Sequence, residues 1–216
     1  MYLHSIIWDV DPILLHIGEG GIRWYGLLWA LGIMICYLIQ VKLYNHENCP
    51  KEWTDHLFIW MVTGVIVGAR LGHCLFYEWH YYQDAIQIFA FNIHYRNPYI
   101  EHPFWLLRIW EGGLSSHGGA IGLIVAAWLL NKKHFSKRPE YHTSLIWIFD
   151  RLVIGVCITG ALIRLGNLMN SEIYGGPTDM PWGFVFQRAG ETQPMHPTQI
   201  YEALCYIIVF LILLWL

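Results

Sequence analysis

Leu145–Leu168 reads LIWIFDRLVIGVCITGALIRLGNL, and the chain leaves it through Arg164–Gly175, RLGNLMNSEIYG. The first stretch is an apolar run broken by Asp150-Arg151 near its start and Arg164 near its end. It is long enough to cross a bilayer, which takes about 20 mostly apolar residues. In its last turns a guanidinium, two carboxamides and a carboxylate leave the hydrocarbon together. Burying such groups in lipid is costly, so a membrane protein that keeps them is usually holding a polar substrate, an ion or a lipid headgroup. The alternative is a helix end whose polar side chains meet interfacial water.

The rest of the chain has the same character. Of 216 residues, 56% are hydrophobic and only 13% are charged, against about 25% charged in soluble domains. Mean hydropathy is +0.37. A net charge of -3 offers no basic surface for nucleic acid. Twelve Trp and thirteen Tyr suit two membrane interfaces. Cys36, Cys49, Cys74, Cys157 and Cys205 show no CxxC spacing and read as small buried hydrophobes, so no disulfide frame or metal site is expected. Asp9 and Asp11 interrupt the first apolar stretch, and no basic region precedes it, so no cleavable signal peptide is expected.

The expected architecture is an all-α polytopic membrane helix bundle forming one integral domain over 1–216. Five spans are expected near Ile22–Tyr44, His56–Glu78, Leu114–Leu130, Leu145–Leu168 and Ile200–Leu216. The connection 79–113, with His94, Arg96 and His102, reads as interfacial. The stretch 169–199 carries Gly175, Gly176, Pro177, Pro181 and Pro194, and reads as a small extracytoplasmic cap of turns. Lys42, Lys51, Lys132, Lys133, Lys137 and Arg138 lie by the short connections, and Arg96, Arg108 and Arg188 by the long ones. That bias puts the short loops in the cytoplasm and the amino terminus outside. Tyr25, Arg70, His117, Arg164–Glu172, His196, Tyr201 and Glu202 then come to one outer leaflet.

Several constellations could carry chemistry there. In Glu111–Gly119, EGGLSSHGG, paired glycines flank His117. An imidazole with a pKa near 6.5 can accept a proton at neutral pH, or it can be a histidine hydrogen-bonded at a helix end. Arg164, Asn167 and Asn170 stand at i, i+3 and i+6, close to one helix face. A planar guanidinium suits phosphate, and amides add neutral donors. Arg70, in Gly68-Ala69-Arg70-Leu71-Gly72, is either a second cation of the site or a partner of Glu78 or Glu202. Asp150-Arg151 reads as an internal ion pair. His196–Glu202, HPTQIYE, reads as a helix start with Pro197 in the first turn and Thr198 able to cap. Neither a GxSxG elbow nor an HExxH zinc motif is present.

These motifs resemble the prolipoprotein diacylglyceryl transferase family, from Asp11-Pro12 and Trp24-Tyr25-Gly26 through Gly68–Tyr77 and Trp110–Gly119 to Arg164–Gly175 and His196–Glu202. The family signature Gly-Arg-x-Gly-Asn-Phe-x-Asn-x-Glu-x-x-Gly is kept at Arg164, Gly166, Asn167, Asn170, Glu172 and Gly175, with Ile163 and Leu168 as departures. The resemblance implies seven spans, the sixth bearing a further Tyr, Arg and Glu, so this chain is expected to lack the last two as a fragment or a truncated form. It implies transfer of the diacylglyceryl group of phosphatidylglycerol to the lipobox cysteine thiol in the signal peptide of a prolipoprotein. A thioether forms and glycerol phosphate leaves, at the outer leaflet of the bacterial cytoplasmic (inner) membrane, with no cofactor. His117 is expected to take the thiol proton, Arg164 to hold the phosphate, and Asn167 and Asn170 to orient the headgroup. Tyr25, Arg70 and Glu202 complete this site, and Glu172 and Gly175 shape its lip. The alternatives are a membrane channel or transporter with Arg70 and Arg164 as an anion site, or an inactive fragment of the transferase.

Overall fold

Long apolar runs become helices here because a helix satisfies its own backbone hydrogen bonds where lipid offers none. The structure, a computed structural model, describes residues 5–18, 20–77 and 115–216. Among the described residues there are five α-helices: α1 Trp24–His46, α2 Glu52–Phe76, α3 Ser116–Lys133, α4 Leu145–Met169 and α5 Thr198–Trp215. They match the five expected segments, with ends displaced by a few residues. Four of them, α1, α2, α4 and α5, are long and apolar enough to cross a membrane. The fifth, α3, includes Ser116, His117, Asn131, Lys132 and Lys133, and its apolar stretch is only Ala120–Leu130. The described helices confirm a multi-pass, mainly α-helical membrane protein. Expectations for 79–113, and for Glu78 and Glu111–Gly113, fall outside the described residues.

The chain forms two compact units, one of residues 1–48 with 149–216 and one of 49–148. In the second, α2 and α3 meet along a glycine seam. A Cβ on Gly72 would lie 2.6 Å from Cα of Gly118, one on Gly68 2.6 Å from Cα of Gly122, and one on Gly64 2.5 Å from Cβ of Ala126. These residues recur every fourth position on each helix, the spacing that lets two backbones touch in lipid. Main chain reinforces the contact, since Ser115 N donates to Ala69 O at 2.9 Å. Ser115 Oγ also caps α3, accepting from Gly118 N at 3.3 Å. At the other end Trp53 stacks on Phe135 with ring centroids 4.1 Å apart, and Tyr141 leans on Trp53.

In the first unit α1 packs on α4 through small residues and shared polar groups. A Cβ on Gly32 would meet Thr159 at 3.0 Å, and Thr159 Oγ1 donates to Gly32 O at 3.0 Å. Gln40 Nε2 donates to Arg151 O at 2.8 Å. Arg151 lies 3.9 Å from Asp150, yet its close partner is Glu47, with Nε at 2.9 Å from Oε1. The expected Asp150–Arg151 pair is therefore the weaker of two, because i and i+1 side chains diverge on a helix.

The stretch 169–199 is more ordered than a set of turns. β4, Phe184–Phe186, pairs in parallel with β1, Ile6–Trp8, and a separate hairpin joins β2, Ile13–Ile17, to β3, Gly20–Arg23. Leu168, Phe184, Phe186 and Met195 form a buried cluster against Trp8, Tyr174 and Ile200. Trp8 Nε1 donates to Leu168 O at 3.0 Å, and Arg188 Nε sits 3.1 Å from Asp9 Oδ1. The cap is thus built from both ends of the unit. None of the five cysteines is in a disulfide; Cys49, Cys74 and Cys157 are buried as expected, while Cys205 is exposed on α5.

Candidate active site

The end of α4 carries the candidate site, where its last carbonyls have no helical partner and the chain turns at once. The turn is tight. Ser171 and Ile173 both have left-handed backbones, φ 54° and 58°, a conformation that is a genuine outlier for a β-branched residue such as Ile173. Such geometry persists only where the surroundings over-determine it, and it concentrates at functional sites. Here Glu172 N donates to Asn167 O at 3.1 Å, and Ser171 N to Leu168 O at 3.0 Å. From the far side, Gln199 Nε2 donates to Glu172 O at 2.7 Å and Thr198 Oγ1 to Ile173 O at 3.0 Å. Thr198, expected as a cap, spends its hydroxyl on this turn instead, and Pro197 occupies the N-cap position.

The turn places Glu172 where two carboxamides reach it. Asn167 Nδ2 donates to Glu172 Oε1 at 2.9 Å and Asn170 Nδ2 to the same oxygen at 3.2 Å. Asn167 then turns its Oδ1 to Arg164, 3.3 Å from Nη1. Glu202, one turn into α5, binds the other edge of that guanidinium, Nε to Oε2 at 2.7 Å. Arg164 is therefore held in one plane by two fixed acceptors. Of its five N–H donors the other three take no partner among the described residues. With the Arg164 side chain 26% exposed, they are open to an anion. In bulk water an ion pair like this contributes about 0–1 kcal/mol. Its value here is orientation, since a fixed fork presents paired donors to a phosphate.

Other expected residues join the same cluster. Tyr25, at the start of α1, packs on Gly166, where a Cβ would come within 2.9 Å of its ring. It stands within electrostatic reach of Glu172 and Arg164. Gly175 has a packing role: its N donates to His196 O at 2.8 Å, and a Cβ would meet Thr198 at 2.7 Å. Tyr201 OH accepts from Trp182 Nε1 at 2.8 Å and lies 3.1 Å from His196 Nδ1. Behind the turn, Tyr174 stacks on Phe186 and donates to Glu191 at 2.7 Å, which raises its phenol above the ordinary range.

Arg70 and His117 belong to the other unit. Arg70 is buried on α2 between Gly68 and Gly72, both of which touch Gly118; His117 is exposed in the first turn of α3, just before Gly118. Glu202, considered above as a partner for Arg70, pairs with Arg164. Gln199 went unnoticed as a site residue, although a carboxamide in the first turn of an apolar helix, three residues before Glu202, was a readable signal.

The chain has similar sequences among known proteins. The sequence model of the family described as prolipoprotein diacylglyceryl transferase matches residues 12–216. A Porphyromonas gingivalis protein named phosphatidylglycerol--prolipoprotein diacylglyceryl transferase is 43% identical over 98% of this chain and 70% of its own length. The Tolumonas auensis protein of the same name is also 43% identical, over 98% of this chain and 72% of its own. One from Chloroherpeton thalassium is 38% identical over 95% and 68%.

Proposed function

Because this chain belongs to the prolipoprotein diacylglyceryl transferase family, we propose that it moves the diacylglyceryl group of phosphatidylglycerol onto a prolipoprotein cysteine. Sulfur attacks the glycerol carbon bonded to phosphate; a C–S bond forms, the C–O bond breaks, and glycerol phosphate leaves with the electron pair. A free thiol, with a pKa of about 8.5, is only a few per cent ionised at neutral pH, so a base assists. Charge grows on the departing phosphate, so a preorganised cation lowers the barrier.

The observation that carries this reading is Arg164, fixed between Glu202 and Asn167 near the end of a helix long and apolar enough to cross a membrane. In this reading Arg164 holds the phosphate, and Asn167, Asn170 and Glu172 keep it aimed. Tyr25, Glu202 and Gly175 complete this cluster; on sequence grounds alone, Arg70 is the second cation and His117 the base for the thiol proton. The acceptor is the lipobox cysteine of the signal peptide, and the site faces the outer leaflet of the bacterial inner membrane, as the lysine and arginine bias supports. The channel or transporter alternative is not favoured, since relatives matched over nearly the whole chain carry the transferase name.

The test is direct. Membranes carrying the protein, given phosphatidylglycerol and a lipobox peptide, add one diacylglyceryl mass to the peptide cysteine. The nucleophile comes from the substrate, so replacing all five cysteines by Ala leaves transfer intact. Absence of the mass gain with a folded protein, or its loss in the cysteine-free variant, overturns the reading.

A further inference from the structure

We propose that Gln199 is a positioning residue for this transfer: from the start of α5 it clamps the turn after α4 and so aims Arg164. The proposal rests on the function given above. Gln199 is fully buried, at 0% exposure, an expensive place for a carboxamide unless its hydrogen bonds are used. One of them is used well, Nε2 to Glu172 O at 2.7 Å. The acceptor is a carbonyl, which can only accept, so this end of the side chain must be the NH2 group and the amide orientation is settled. Oε1 is left buried with no partner among the described residues. A group kept at such cost is there for what its donor end holds.

That end holds the carbonyl of Glu172 between two left-handed residues, Ser171 and Ile173. Released, the turn relaxes toward ordinary backbone angles and carries the Glu172 carboxylate away. Asn167 and Asn170 both donate to that carboxylate, and Asn167 in turn accepts from Arg164. The clamp therefore reaches the guanidinium through the Glu172 residue and two further hydrogen bonds. Thr198 grips the next carbonyl, of Ile173, and Glu202 binds Arg164 directly. Thr198, Gln199 and Glu202 occupy one end of α5, with Gln199 and Glu202 at i and i+3 on one face. The start of that helix thus fixes both sides of the guanidinium.

Two variants in membrane-embedded protein test it. Gln199→Met keeps the length and removes the donor. Gln199→Glu restores a donor only when its carboxyl is protonated, which burial favours. For Gln199→Met, kcat falls by up to about 100-fold, as a misplacement of about 1 Å can cause, while KM for phosphatidylglycerol stays near its parent value. Arg164 is also modified faster by phenylglyoxal, read by peptide mass mapping. For Gln199→Glu, activity relative to the parent recovers as pH falls from about 8 to about 6.

Folded Gln199→Met with parental kcat and parental Arg164 labelling overturns the proposal, as does a loss confined to KM. If Gln199→Met fails to fold, absence of acid recovery in Gln199→Glu overturns it. If the parent itself transfers nothing, the function reading fails. Arg164 labelling then still decides whether the clamp exists, with unchanged labelling in both variants at pH about 8 counting against it.

Discussion

The α2–α3 seam and the α4–α5 polar cluster are both places where backbone comes close to its neighbours, yet they are held by opposite means. In the seam glycines let main chain touch main chain, and a Cβ on Gly68 would lie 2.6 Å from Cα of Gly122. Nothing there can move aside. In the cluster the approach is made by side chains, through Arg164–Glu202 at 2.7 Å, Asn167–Glu172 at 2.9 Å and Gln199–Glu172 at 2.7 Å. The seam selects for volume and the cluster for the direction of donors. A structural contact in lipid needs only shape, whereas a site for an anion must aim its dipoles.

The largest expected effect tests direction. Arg164→Lys keeps the charge but loses the planar fork held by Glu202 and Asn167. It should lower kcat/KM by about 10²–10³-fold, the cost of removing one preorganised transition-state donor, with little change in thermal stability in detergent. Activity within a few-fold of the parent would erase the contrast between aimed and merely charged.

The next makes one chemical change in both regions. Gly68→Ala drives a methyl into backbone and should destabilise by about 1–3 kcal/mol, read as a lower melting temperature. Gly166→Ala meets the Tyr25 ring at 2.9 Å, and a ring can swing. It should cost stability less and transfer activity more. Equal melting losses with parental transfer in Gly166→Ala would show that both are packing seams.

The smallest concerns the cap behind the cluster. Tyr174→Phe removes the donor to Glu191 and should cost about 1 kcal/mol. The Tyr174 pKa is raised in the folded protein, so its contribution is fully present below the ordinary tyrosine value of 10.0. It is lost as pH rises through the higher folded value. Hydrogen exchange at Phe184–Phe186 should therefore quicken at alkaline pH in the parent, and show a weaker alkaline rise in Tyr174→Phe. The same alkaline rise in both proteins would assign it to another group.

Much of the candidate site was legible because it is local. Arg164, Asn167 and Asn170 lie within seven residues at the end of α4, and the exit of a charged run from an apolar one needs no tertiary knowledge. Glu202 was legible as a polar residue on α5, but its partner was not: the sequence suggested Arg70, and the structure pairs it with Arg164. Gln199 hid in a motif read as a helix start. Its partner is a main-chain carbonyl 27 residues away, and any residue type carries one. The strands were missed for a related reason. β1 is three residues long, too short for an alternating pattern, and pairs with a strand near the other end of the chain. The glycine seam was readable, for Gly64, Gly68 and Gly72 recur every fourth position.

What the amino-acid order settled by itself was where the chain must be helical and where charge leaves the apolar runs, because backbone satisfaction in lipid depends on run length alone. The tertiary structure decided which acceptor each donor took, and that Ile173 turns left-handed to set Glu172 in place. Those outcomes depend on distances between groups remote along the chain, and a hydrogen bond is lost within an ångström of misplacement.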